Sequence, residues 1–126
     1  MGMLMIARVP GEAVEIGSDL AKGADAKLTV NRIACVGADT RCAVKRVFFQ
    51  LEIDGINSEI ACNVRQCISF NISPAIPVRL YVSSVRGGQV HVGLDAPRQI
   101  RILREEIAIA MRGAQAPQAP RAAVSA

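Results

Sequence analysis

Apolar residues recur at every second position through much of this chain. Val90, Val92 and Leu94 alternate with His91 and Gly93, the period of a strand with one buried face. Asp95-Ala96-Pro97 must end that strand, because proline has no N–H to give to a ladder. Ile100 and Ile102 then alternate with Gln99 and Arg101 in a second, shorter strand. The period changes at Arg104-Glu105-Glu106-Ile107, since paired carboxylates ahead of an apolar run suit the positive end of a helix. The segment therefore reads as strand, proline turn, basic strand and helix.

Earlier segments keep the same two-residue period. Met3 to Arg8 forms a strand with Leu4, Ile6 and Arg8 on one face and Met3, Met5 and Ala7 on the other. Pro10-Gly11 breaks it, and Ala13 to Ile16 makes a second strand that stops at Gly17-Ser18-Asp19. The runs Leu28-Thr29-Val30, Ile33 to Val36, Val47 to Ile53 and Ile68 to Ile72 are rich in β-branched residues and predict further strands. Between them, Asp54-Gly55 is a two-residue hairpin signal that sets Ile53 opposite Ile56 and Phe49 opposite Ile60. Pro74 and Pro77 interrupt any helix ahead of Val78. Gly87-Gly88 joins two strands and is a turn, not a phosphate loop. No internal repeat stands out. Gly113 to Ala126, rich in Ala, Pro and Gln with Arg121 its sole charge, is expected to be a disordered, solubilising tail.

Three blocks of this pattern resemble the carbon storage regulator family, the CsrA and RsmA type of bacterial RNA-binding translational regulators. The first is Gly93-Leu94-Asp95-Ala96-Pro97-Arg98 followed by Arg104-Glu105-Glu106-Ile107. Met3-Leu4-Met5-Ile6-Ala7-Arg8, with Gly11-Glu12 and Ile16-Gly17-Ser18-Asp19, resembles the first two family strands. Val78 to Gln89 resembles the third strand and its hairpin. The resemblance implies an all-β fold: a small antiparallel five-stranded core in an interleaved homodimer, with a short C-terminal helix. It assigns residues 1–19 and 78–112 to that core, leaves 113–126 as tail, and makes 20–77 a β-rich insertion between the second and third strands.

The resemblance also implies a function. Family members bind a GGA core in hairpin loops of mRNA leaders or small regulatory RNAs, not DNA, and so control translation or transcript stability, without cofactor or catalysis. The first strand of one subunit lies beside the last strand of the other, and each such pair forms an RNA site. Carried over residue by residue, the RNA contacts are Leu4, Ile6, Ala7 and Arg8 on the first strand, Ala96, Pro97 and Arg98 in the turn, and Ile102, Leu103 and Arg104 on the last strand. Val9 and Leu103 depart from the family, where a basic residue and a histidine are usual. A flagellar assembly protein is a known antagonist in the family, so a second reading stays open: an interaction module whose insertion docks a partner, with RNA binding reduced.

Composition changes the picture at four points. Of the 126 residues, 51% are hydrophobic but only 3% aromatic, so a core is affordable and must be built from aliphatic side chains. The net charge of +4 favours an anionic partner. Its placement says more: six arginines (79, 86, 98, 101, 104 and 112) face Asp95, Glu105 and Glu106 between residues 78 and 112. Arginine, planar and permanently charged, suits both phosphates and base edges. No apolar run approaches the roughly 20 residues of a membrane span, and the start lacks a basic leader, so a cytoplasmic protein is expected.

Cys35, Cys42, Cys62 and Cys67 are spaced too loosely for a usual zinc site. A turn near Ala38-Asp39 would set Cys35 opposite Cys42, while Cys62 and Cys67, taken as one strand, would point to opposite faces. They are read as reduced thiols acting as small hydrophobes, with no metal. His91 is the sole histidine and has no nucleophile or orienting group near it in sequence, so no enzyme is expected.

Overall fold

The computed structural model describes residues 3–36, 44–73 and 76–115. Among the described residues nine strands and one helix follow in order: β1 Leu4–Arg8, β2 Ala13–Gly17, β3 Ala26–Val36, β4 Val44–Ile53, β5 Ile56–Asn63, β6 Cys67–Ser73, β7 Ile76–Arg86, β8 Gln89–Asp95, β9 Arg101–Arg104 and α1 Glu105–Gln115. All pairings are antiparallel, in two sheets ordered β1-β8-β7-β6 and β5-β4-β3-β2-β9. The all-β antiparallel class with a short C-terminal helix, expected from the sequence, is the observed one. Alternation decides which residues lie between the sheets: Val14, Ile16, Leu28, Val30, Val47, Phe49 and Leu51 meet Val78, Leu80, Val82, Val90, Val92 and Leu94 in one aliphatic core. Phe49 faces inward and is fully buried, whereas Phe48 lies half exposed with the Arg32 guanidinium 3.8 Å above its ring.

The two sheets repeat one design. Exchanging β1 with β5, β2 with β6, β3 with β7 and β4 with β8 turns the first sheet into the second, except for β9. Register follows residue by residue. Leu4, Ile6 and Arg8 of β1 face Leu94, Val92 and Val90. Ser58, Ile60 and Cys62 of β5 face Leu51, Phe49 and Val47. Val14 and Ile16 face Leu28 and Ala26, as Ile68 and Phe70 face Leu80 and Val78. Even the irregularities coincide, with the ladder slipping after Val30 in β3 and after Val82 in β7.

The turn after each first strand shows the same repetition. Gly11 N donates to Val30 O (2.7 Å) and Val30 N to Glu12 O (3.0 Å). Arg65 N donates to Val82 O (2.6 Å) and Val82 N to Gln66 O (3.2 Å). Gly11 and Arg65 occupy equivalent left-handed positions, with φ of 96° and 72°. The second is uncommon for a residue with a Cβ.

Residues 20–77 therefore do not form a separate inserted element. They supply β3 and β4 to the first repeat and β5 and β6 to the second, and both sheets need them. The strand exchange that the family resemblance places between two subunits occurs here within one chain: β1 crosses to pair with β8 of the second repeat, and β9 crosses to pair with β2 of the first. The Asp54-Gly55 hairpin joins the repeats, both residues being left-handed (φ 53° and 78°), with Ile53 opposite Ile56 and Phe49 opposite Ile60 as the sequence indicates.

Cys62 and Cys67 are not on one strand. A turn through Arg65 separates them, leaving Cys62 buried on β5 and Cys67 exposed on β6, while Cys42 lies outside the described residues. The Cys62 thiol donates to Gln66 O at 3.2 Å, and burial pushes its pKa up. Gly113 to Gln115 continue α1, and the rest of the expected tail is outside the described residues.

Phe49 is the largest fully buried side chain and sits where the two repeats pack. Phe49→Ala should lower unfolding free energy by about 3–5 kcal/mol, read from the urea midpoint at unchanged m-value.

Candidate nucleic-acid interface

Edge strands β1 and β9 belong to different sheets, and Leu4 of the one and Ile102 of the other line a common groove. On β1, parity puts Leu4, Ile6 and Arg8 on the inner face. On β9, Ile102 faces Ile16 and Arg104 faces Val14, so both share the inner face of the second sheet. The turn between β8 and β9 closes one end, tightened by Ile100 N donating to Pro97 O at 2.9 Å. The result is an open cavity of about 390 Å³ lined by Leu4, Leu94, Ala96, Pro97, Arg98, Ile100 and Ile102. Its floor is aliphatic and its rim is basic.

Five of the ten residues carried over from the resemblance, Leu4, Ala96, Pro97, Arg98 and Ile102, meet around this cavity. Arg104 lies beside it, exposed, on the face it shares with Ile102. Ile6 is buried in the core beneath the groove. Ala7 and Leu103 sit on the outer faces of their strands, opposite His91 and Glu15. Leu94 and Ile100 also line the cavity although no contact was assigned to them; their strand alternation marks them as inward.

Arg8 is held differently from the other arginines. Its side chain is 7% exposed, and its two terminal nitrogens make a bidentate pair with Glu106 at 2.8 and 2.9 Å. It also donates to Ala13 O at 3.2 Å and Ala7 O at 3.0 Å. Planar guanidinium and carboxylate match in such a fork, which fixes the angle between β1 and α1. Two further pairs hold the helix: Lys27 to Glu105 at 2.6 Å, and Arg112 to buried Glu15 at 2.7 Å, with Arg112 also donating to Leu20 O. The helix is thus tied to β1, β2 and β3. By contrast, Arg98, Arg101 and Arg104 are exposed and make no ion pair among the described residues.

His91 is half buried in mid-sheet, its carbonyl accepting from Ser83 Oγ at 3.2 Å. No group of three or more His, Cys, Asp or Glu converges among the described residues. No helix among them is long and apolar enough to cross a membrane.

The β1 and β9 edges thus present an aliphatic groove rimmed by arginines that make no ion pair among the described residues. The model of the CsrA global regulator protein family matches residues 69–112. The match spans most of β6 together with β7, β8 and β9, and ends within α1. Comparison with curated proteins and with solved structures gives no match.

The Arg8 fork holds the Glu106 carboxyl at about 2, below its ordinary 4.5, with its own helix N–H and the nearby Arg104 adding to the effect. A lowered folded-state pKa means that the pairing favours folding above the unfolded value and is lost as pH falls through the folded one. Docking of α1 should therefore loosen between about pH 4.5 and 2. Carbon-detected NMR titration should place Glu106 in that window, and Arg8→Met should return it toward 4.5.

Proposed function

We propose that this chain is a cytoplasmic post-transcriptional regulator that binds GGA-containing hairpin loops of mRNA leaders or small RNAs in the groove between β1 and β9. The observation that carries the reading is the juxtaposition of the cavity with Arg98 and Arg104. Unpaired loop bases need an apolar surface to rest on and directional donors for their edges, while phosphates need positive charge that is not already neutralised. Leu4, Pro97 and Ile102 offer the first; Arg98 and Arg104 offer the second. Arg8 acts one step back, fixing β1 against α1 so that the groove keeps its width.

In this reading one chain holds one complete site. The strand equivalent to β9 is missing from the first repeat, because Asp54-Gly55 turns β4 straight into β5. On β5 the positions equivalent to Leu4 and Arg8 are Ser58 and Cys62. The alternative, in which residues 20–77 dock a protein partner, has less support, since those residues build both sheets. An antagonist of the flagellar assembly type would find its apolar surface on α1, where Ile107 and Ile109 are exposed.

Titration of a labelled GGA hairpin should give one RNA bound per chain and clear preference over a GGC control. Arg104→Ala should weaken specific binding by about 1–3 kcal/mol with the fold unchanged. Equal, weak binding of both hairpins would overturn the reading.

A further inference from the structure

The internal repetition shows where a strand is missing. On β2, Val14 and Ile16 are 1% and 0% exposed, because β9 pairs alongside and closes that edge. Their counterparts on β6, Ile68 and Phe70, are only half buried, since among the described residues β6 ends its sheet with no strand beyond it. The first sheet thus stops one strand short of the second, and apolar side chains show at the gap.

We infer that a second copy of this chain fills the gap, β6 against β6 in antiparallel register, making one continuous eight-stranded sheet across a two-fold axis. Charge singles this edge out. Each of the other three edge strands carries a charged residue: Arg8 on β1, Glu59 on β5, Arg101 and Arg104 on β9. Open edges are commonly guarded in this way. In contrast β6 reads Cys-Ile-Ser-Phe-Asn-Ile-Ser, with no charge of its own, the cation beside it being Arg79 one strand in on β7, whose guanidinium lies 3.9 Å from Cys67 Sγ.

The strand also fits itself. The ladder to β7 slips between Asn71 and Ser73, which limits regular pairing to Cys67–Asn71. Centred on Ser69, that segment sets Ile68 against the partner's Phe70, Cys67 against the partner's Asn71 and Ser69 against the partner's Ser69. Both apolar pairs fall on the core side, and the polar pairs on the solvent side. A two-fold interface demands such self-complementarity. The edge is distant in topology from β1 and β9, so the inference stands apart from the RNA reading.

Sedimentation equilibrium of the full chain from 1 to about 200 μM tests it, a span wide enough to populate a small strand-edge interface. A species of twice the 13.4 kDa chain mass is expected. Ser69→Lys and Ser69→Glu, at an exposed position, should each abolish that species while circular dichroism and RNA binding per chain stay unchanged. In a Cys35→Ser, Cys42→Ser, Cys67→Ser background, Ser69→Cys should form an intermolecular disulfide under mild oxidation. A monomer throughout the range, or a dimer that survives both charged substitutions, overturns the inference.

Discussion

Both sheets depend on strands crossing between the halves of the chain. Were β1 to stay with its own repeat and β9 with its own, each unit would present a bare apolar face and an open edge. Instead, β1 pairs with β8 and β9 with β2, so neither sheet is complete without residues from both ends. Closure of this kind explains how a chain with three phenylalanines and no tryptophan encloses a core. Val, Ile and Leu at alternate positions fill the space between sheets, and two layers of such residues hide each other.

Where β1 and β9 come together, burial and charge divide the arginines. Arg8 lies inside the sheet edge, and a buried guanidinium without a matched anion would be costly; Glu106 and the Ala13 carbonyl supply that match. Arg98 and Arg104 lie outside and are exposed, with no ion pair among the described residues. The same side-chain type therefore serves as a brace on one side of the groove and as an open cation on the other. Lys27 and Arg112, from opposite ends of the helix's contact, add rigidity without entering the groove.

Much of this was legible in the residues. Two-residue periodicity located the strands, and Asp54-Gly55 fixed a hairpin register that holds through Phe49 and Ile60. Leu4, Ala96, Pro97, Arg98 and Ile102 were placed by motif resemblance, and they do converge. The repetition was hidden for a physical reason. An aliphatic core position accepts Ile16 or Phe70, Val14 or Ile68, so equivalence survives in register while identity fades. Unequal connections hide it further, since Gly87-Gly88 joins β7 to β8 but a longer segment joins β3 to β4. The fork between Arg8 and Glu106 was equally silent, because nothing local in either stretch announces a partner at the far end of the sequence.

The repeated halves are alike in backbone and unlike at Arg8 and Cys62. In a symmetric pair of identical subunits every substitution is made twice, so a change that suits one edge is imposed on the other. Joining the halves through Asp54-Gly55 removes that obligation. The β1 edge can keep an ion pair and border a basic groove while its counterpart β5 turns to a buried thiol, and the molecule can evolve two different faces from a single architectural plan.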